Sequence, residues 1–169
     1  MSLRPGLLLT VLLTLAGCAR DSEDALRARL SQWFYLEEGT HFRSKSRCTA
    51  AVYNVAAAYT RPALTVHTSA NLAKEAFSTG GLAALQMMGF SPNDLTDALL
   101  LTGRGTFGKQ ALAAAAQAVP CFEGTRAEGQ LRDALTRPGA VMAYDRESEG
   151  LMVLDPEAMR LFYVAGDVW

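Results

Sequence analysis

Hydrophobic residues follow three different patterns along this chain. Residues 7–15 are almost continuously apolar. Between residues 21 and 135, apolar positions recur mainly at helical spacing, and glycine or proline separates the periodic stretches. From residue 140 onwards, short apolar runs alternate with polar turns, which is typical of β-strands. The pattern predicts an apolar N-terminus, a helical middle and a C-terminal sheet.

Six helices are expected where the helical spacing is clearest. Ser91 followed by Pro92 is a strong helix start, because serine caps the first turn and proline fits its first position. Thr125 and Glu128 have the spacing of a capping box. The expected helices are Asp21–Leu36, Ser69–Phe77, Leu82–Met88, Ser91–Leu101, Thr106–Val119 and Thr125–Leu135.

The extended segments complete the expected fold. Residues 42–55 favour strand because Val52, Tyr53 and Val55 suit a pleated surface, and a loop up to Cys48 before one short strand is the alternative. The other expected strands are Pro62–His67, Ala140–Tyr144, Leu151–Leu154 and Leu161–Val164. The predicted fold class is α+β: one domain over residues 21–169, in which a helical middle packs on a small antiparallel sheet with a C-terminal three-stranded meander.

The N-terminal 17 residues have the composition of a secretory signal. Arg4 supplies a positive charge, residues 7–15 form a short apolar core, and the small residues Ala16 and Gly17 follow. The apolar run is too short to cross a bilayer, which takes about 20 residues. We therefore expect residues 1–17 to be cleaved after export.

Residues 15–18, Leu-Ala-Gly-Cys, resemble the lipobox of bacterial lipoproteins. The resemblance implies that Cys18 carries a diacylglycerol and, after cleavage, an acylated amine such as a palmitoyl amide. This covalent lipid is the only cofactor expected. It also implies a short tether over residues 18–20 and a place on the periplasmic face of a Gram-negative membrane, where Ala19 favours the outer over the inner membrane. Two or three acyl chains give stable anchoring.

The remaining cysteines form an even pair once Cys18 is lipidated. Cys48 and Cys121 would then lie in an oxidising compartment, so we expect a disulfide between them, with two buried free thiols as the alternative. Neither cysteine lies in a recognisable nucleophile motif.

Composition limits the function classes. Half of the residues are hydrophobic and 20% are charged, which is typical of a globular protein. The formal net charge is only −1. Neither nucleic acid nor nucleotide is expected as a partner, because no strong positive field exists and the protein is exported. The glycine-rich residues 103–109 lack the Walker spacing, with Gln110 where a hydroxyl is needed, and favour an ordinary turn between helices.

Two histidine settings carry the remaining candidate chemistry. Glu38 and His41 have the spacing of carboxylate-bridged metal sites, but the motif occurs only once and Gly39 interrupts it, so no metal is expected. His67 lies near Ser69 without a hydrolase motif, and Ser69 is interpreted first as a helix cap. No catalytic residue is assigned.

Two surface features suggest contacts with other molecules. Arg43, Lys45 and Arg47 alternate with uncharged residues and, if extended, would present three cations on one face. A solvated edge strand is the favoured interpretation, and contact with lipid phosphates is the alternative. A second, apolar cluster favours core packing over a partner surface: Leu82, Leu85, Met87, Met88 and Phe90.

The expected function is therefore a non-catalytic binding or envelope-assembly module, held at the membrane by its lipid and in contact with another envelope protein. A periplasmic hydrolase and a carrier of lipid or of small apolar ligands are the alternatives.

Overall fold

A seven-stranded mixed sheet forms the centre of the described structure. The computed structural model describes residues 19–101 and 106–167. The strands are β1 (Leu36–Ser44), β2 (Cys48–Val55), β3 (Val66–His67), β4 (Leu82–Leu85), β5 (Val141–Asp145), β6 (Gly150–Asp155) and β7 (Arg160–Gly166). Their order across the sheet is β1-β2-β7-β6-β5-β4-β3. Only β3 and β4 are parallel; the other neighbouring pairs are antiparallel.

The α+β class is confirmed, but the predicted small antiparallel sheet with a C-terminal meander is wrong. Strands β5, β6 and β7 pair consecutively, yet they are the centre of a larger sheet. The pairing of β2 with β7 extends it on one side, and the pairing of β4 with β5 extends it on the other. Strands as short as β3 and β4 contain too few residues to show an alternating pattern.

The helices cover the sheet unequally. They are α1 (Glu23–Leu30), α2 (Ala70–Gly80), α3 (Pro92–Leu101), α4 (Thr106–Gln117), α5 (Val119–Phe122) and α6 (Arg126–Thr136). Buried residues of α2 to α6 form one apolar layer with the sheet. Helix α1 and Phe34 contribute to a second layer on the opposite face.

Strand β6 illustrates why the central strands are apolar throughout. Leu151 and Val153 lie in the layer with α2 to α6, whereas Met152 and Leu154 lie in the layer with α1. Successive side chains of a strand point to opposite faces, so a strand covered on both faces needs a continuous apolar run.

The first helix is shorter than predicted. It ends at Leu30 instead of Leu36, and the chain enters β1 at Leu36, which pairs with Val55. Phe34 is buried in the second layer without being helical. The apolar residues at 33 and 34 continue the helical spacing although they follow the end of the helix, so the spacing alone predicted a helix that is too long.

The predicted helix at Leu82–Met88 is wrong. Residues Leu82–Leu85 form β4 because their backbone groups complete two ladders, one to β5 and one to Val66 and His67 of β3. The predicted strand Pro62–His67 correspondingly shrinks to Val66–His67. A run of four alanine and leucine residues has no pattern that distinguishes strand from helix.

Pro120, which was expected only to end a helix, also lies in the first turn of the next one. Helix α4 ends at Gln117, and Pro120 lies in the first turn of α5, where a missing N–H is tolerated. Next to this junction, β7 passes directly beneath the end of α4. A Cβ atom on Gly166 would lie 2.3 Å from Cβ of Gln117, so only glycine fits there.

The two hairpin turns of β5–β6 and β6–β7 share one design. Each follows an aspartate whose carboxylate accepts two backbone N–H groups of the turn: Asp145 from residues 147 and 148, and Asp155 from residues 157 and 158. Each ends on a residue with left-handed backbone, Glu149 (φ 49°) or Met159 (φ 51°). The antiparallel pairing places these turns at opposite ends of the sheet.

Within residues 19–101 and 106–167, no helix is long and apolar enough to span a bilayer.

Candidate functional site

Arg20, one of the first described residues, is tied into one end of the sheet. Its guanidinium donates to Asp167 Oδ1 (2.6 Å), Glu149 Oε2 (2.8 Å) and the carbonyl oxygen of Ser148 (3.0 Å). Its backbone N–H donates to the carbonyl oxygen of Lys45 at 3.0 Å. Arg20 thus joins the β1–β2 turn, the β5–β6 turn and the end of β7.

Asp21 extends this network into the β1–β2 hairpin. Thr49 Oγ1 donates to Asp21 Oδ2 at 2.6 Å, and the backbone N–H of Asp21 donates to Ser44 Oγ at 2.9 Å. Arg29 of α1 lies 3.5 Å from the same carboxylate. We call the polar network around Arg20 and Asp21 the tether corner, because residues 18–20 are the predicted tether.

The tether corner is electrostatically complementary. Partial burial lowers the pKa of Arg20, but the hydrogen bond and the charge of Glu149 raise it by more, so that the pKa of Arg20 lies above its ordinary value. The guanidinium therefore stays charged, and its hydrogen bonds to carboxylates are of the strong, charge-assisted kind.

A disulfide joins Cys48 to Cys121, as the cysteine count predicted, with the two Cα atoms 6.1 Å apart. It connects the first residue of β2 to α5, beside the tether corner. Cys18 itself and the segment 1–17 lie outside the described residues.

The predicted cationic stripe bends around the β1–β2 turn. Arg43 lies in β1, whereas Lys45 and Arg47 lie in the turn itself. All three are exposed. The Lys45 ammonium donates to the carbonyl oxygen of Pro120 at 2.7 Å, and Arg47 Nε lies 3.8 Å from Asp167 Oδ2. Whether these cations contact lipid phosphates stays a prediction.

A second polar feature, the α6 groove, runs along α6 toward the opposite end of the sheet. It consists of two adjoining cavities of about 420 and about 340 Å³. Arg126, Gln130 and Arg160 line both cavities, while Arg137 and Asp155 lie in the larger and His41 in the smaller. None of these three arginines was singled out by the sequence.

Arg137 and Arg160 have very different surroundings in the groove. Arg137 forms an ion pair with the buried Asp155 and lies 3.4 Å from Glu157. Arg160 pairs with Asp155 across the β6–β7 ladder, but that carboxylate is already taken by Arg137 and two backbone N–H groups. Within the described part of the chain, Arg160 Nε is buried without a hydrogen-bond partner.

The predicted histidine motifs do not assemble into sites. The His41 ring stacks on Phe122, and its Nε2 lies 3.3 Å from the carbonyl oxygen of Cys121. A carbonyl only accepts, so Nε2 carries a proton in this contact. Glu38 is exposed. Among the described residues, no group of three His, Cys, Asp or Glu side chains could hold a metal ion.

His67 and Ser69 also remain separate. His67 lies in β3 and lines a cavity of about 310 Å³ to which Ser69 does not contribute. Ser69 occupies the N-cap position of α2, although its hydroxyl makes no capping hydrogen bond. For the part of the chain described, His67 has no side-chain hydrogen bond to a hydroxyl or a carboxylate.

The two other sequence features contain both packed and exposed residues. Residues 103–105 of the glycine-rich segment lie outside the described residues, but Gly108 packs α4 against α3, where an added Cβ would lie 3.0 Å from Cβ of Leu99. In the apolar cluster, Leu85 is buried in the core while Met88 is 99% exposed. The cluster is therefore not one continuous surface.

No protein-family model, no curated protein and no solved structure matches this chain.

The residues that sequence reasoning missed are arginines whose neighbours in the fold are distant in the chain. Arg20 is 147 positions from Asp167, and Arg126 and Arg160 belong to different elements. Only one local signal existed: the charged pair Arg20-Asp21 lies one residue after the lipobox-like residues 15–18, where a flexible tether would be rich in glycine and serine.

Proposed function

We propose that the mature protein is a lipid-anchored, non-catalytic envelope module whose orientation on the membrane is set by the tether corner. Cys18 would carry the lipid, and Ala19 alone would separate it from Arg20. The observation that carries the proposal is the set of hydrogen bonds that Arg20 makes to Asp167, Glu149 and Ser148. A residue held in this way cannot act as a flexible linker.

The short tether limits how far the domain can move from the membrane. Each residue spans at most about 3.6 Å, so the lipidated residue would lie within about 7 Å of the tether corner. The β1–β2 turn, with Lys45 and Arg47, would then lie near the headgroups. Cations close to an anionic surface contribute about 1 kcal/mol each, which would reinforce the orientation.

Anchoring is tested by intact mass of the protein extracted from membranes. We expect loss of residues 1–17 and a gain of two or three acyl chains on Cys18. The Cys18→Ser variant should lose the lipid and partition into the aqueous phase. The matched control is Cys48→Ser/Cys121→Ser, which removes two cysteines and should stay lipidated. An unprocessed chain that begins at Met1 would contradict the proposal.

Localisation is tested at the residue after the lipidated cysteine. Ala19→Asp should move the protein from the outer to the inner membrane fraction, following the sorting behaviour that the lipobox resemblance implies. Ala19→Ser is the matched control and should leave the fractionation unchanged. Equal fractionation of both variants would contradict the outer-membrane assignment.

Orientation is tested with an environment-sensitive fluorophore on single introduced cysteines. Lys45→Cys lies in the β1–β2 turn, and Glu157→Cys lies in the exposed β6–β7 turn. In vesicles with anionic lipid, we expect the probe at residue 45 to report a headgroup environment and the probe at residue 157 to report water. Identical spectra at the two positions would refute a fixed orientation.

A partner protein in the envelope is tested by crosslinking in intact cells. Crosslinks should form on surfaces away from the β1–β2 turn, because the proposed orientation places that turn against the membrane.

A further inference from the structure

The α6 groove differs from the tether corner because two of its arginines lack partners. Among the residues that the structure describes, neither Arg126 nor Arg160 forms a side-chain hydrogen bond or an ion pair, and the buried Nε of Arg160 has no acceptor. Buried polar groups in folded proteins are nearly always paired, so an unpaired guanidinium N–H calls for an explanation such as a ligand.

The local charge distribution explains why no protein group satisfies Arg160. Asp155 faces it across the ladder, but its carboxylate accepts from Arg137 and from two backbone N–H groups and not from Arg160. Asp133 is the other acid that lines the groove, and it is exposed on α6. The charges of Arg137 and Asp155 neutralise each other. The remaining charged side chains of the groove are the cations Arg126 and Arg160 and the anion Asp133, so the groove carries a net charge of about +1.

We propose that the α6 groove binds an oxyanion, a phosphate or carboxylate group of a small soluble ligand, between Arg126 and Arg160. Guanidinium groups present parallel N–H donors that match either oxyanion. The larger cavity, about 420 Å³, accommodates an anionic group together with a body of small-molecule size. Gln130, which lines both cavities, supplies a further amide for contact.

The position of the groove argues for a soluble ligand instead of the anchoring membrane. Arg160 is the first residue of β7 and Gly166 the last, so Arg160 lies about 20 Å from the tether corner along the strand. The choice of a soluble ligand over the membrane rests on the proposed orientation, whereas binding of the anion does not depend on lipidation.

Binding is tested on the full-length protein in non-ionic detergent by titration with inorganic phosphate and, separately, with acetate. The readout is the NMR signal of the arginine Nε–H groups, with that of Arg160 assigned from its loss in Arg160→Met. We expect a saturable shift of the Arg160 signal with at least one of the two anions. No saturable shift with either anion would overturn the proposal.

Variants separate a binding site from a structural arginine. We expect Arg160→Met and Arg126→Gln each to weaken binding by about tenfold or more, because each removes a charged hydrogen-bond donor. Asp133→Asn should tighten binding, since it removes the unpaired negative charge. Arg132→Gln makes an equal charge change on the exposed face of α6 and should leave anion binding unchanged. If Arg132→Gln weakens anion binding as much as Arg160→Met does, the effect is one of net charge and the proposed site is wrong.

The source of the anion is tested with vesicles that contain phosphatidylglycerol, added to the unlipidated Cys18→Ser chain. We expect that Arg160→Met does not change the binding of the chain to these vesicles. If Arg160→Met abolishes vesicle binding, the anion in the groove is a lipid headgroup and not a soluble ligand. Failure of lipidation in the mass measurement would leave the anion titration unaffected, and a negative titration would leave the anchor proposal standing.

Discussion

The two ends of the sheet are closed by hairpin turns of the same design, yet their arginines are used in opposite ways. At the tether corner, Arg20 donates hydrogen bonds to Glu149, Asp167 and a backbone carbonyl group. At the far end, Arg137 occupies the carboxylate of Asp155, and the neighbouring Arg160 is left with a buried, unpaired Nε.

The difference indicates which end contributes to stability and which end is available to a ligand. A charged side chain that several short hydrogen bonds hold in place stabilises the fold and rigidifies the residues it joins. A buried N–H without an acceptor, such as Arg160 Nε–H, costs stability, and it marks the end of the sheet where we propose a ligand. Substitutions at the two ends should therefore have different effects, and they test the comparison directly.

The largest effect is expected from the disulfide beside the tether corner. Cys48→Ser/Cys121→Ser opens a loop of 73 residues, which should lower the free energy of unfolding by about 4 kcal/mol in the chain-entropy model. Urea unfolding of the wild-type and double-variant proteins measures this loss. A change below about 1 kcal/mol would mean that the tether corner does not depend on this crosslink.

The next largest effect is expected from Arg20→Gln. It removes two charge-assisted hydrogen bonds and leaves partly buried carboxylates without their cation, so the free energy of unfolding should fall by about 2 kcal/mol. Arg132→Gln is the matched control, because the exposed pair of Arg132 with Glu128 contributes at most about 0.5 kcal/mol. If Arg20→Gln and Arg132→Gln lower the free energy of unfolding equally, the hydrogen bonds of Arg20 contribute no more than an exposed ion pair.

An intermediate effect is expected from alkaline pH. Tyr163 lies beneath the β5–β6 turn, where a Cβ on Gly150 would be 2.4 Å from its ring. Burial, with a smaller contribution from Asp21, raises the pKa of Tyr163 to about 12. An unfolded tyrosine ionises near pH 10, so the stability contributed by the neutral phenol is complete below about pH 10 and is lost between about pH 10 and 12.

Tyr163→Phe isolates this contribution. Wild-type protein should lose about 1 kcal/mol more than Tyr163→Phe between about pH 8 and about pH 11, measured by urea unfolding at each pH. Tyr53 and Tyr144, whose pKa values burial also raises to about 12, should make both proteins less stable over this range. Parallel pH profiles for wild type and variant would contradict the burial of the Tyr163 phenol.

The smallest effect on stability is expected at the far end. Arg160→Met keeps the apolar stem and removes the unpaired N–H, so the free energy of unfolding should stay the same or rise by up to about 1 kcal/mol. Thermal unfolding without added anion measures it. A loss as large as that of Arg20→Gln would mean that Arg160 has a structural partner, and the contrast between the two ends would disappear.

Prediction from sequence succeeded where the signal is local. The starts of α1, α3 and α6 lie within two residues of those predicted, because the signals of a helix start are neighbours in the chain: acidic residues for α1, Ser91-Pro92 for α3 and Thr125 for α6. It failed at Leu82–Leu85, whose strand conformation is decided by β3 and β5, which lie elsewhere in the chain. The same limit applies to the candidate sites. The number of cysteines was enough to predict the disulfide, but no local signal predicted that Arg126 and Arg160 line one groove.

The sequence by itself determined the α+β class, the pairing of Cys48 with Cys121 and the expectation of a lipid on Cys18, because these follow from periodicity, cysteine count and a contiguous motif. Only the tertiary structure decided the size and order of the sheet, the attachment of Arg20 to the end of β7, and the unpaired state of Arg160. The physical reason is that a backbone ladder or a buried ion pair depends on which distant groups meet. The carboxylate of Asp155 pairs with Arg137 and not with Arg160, its partner on the ladder, and no local signal in the sequence decides between the two.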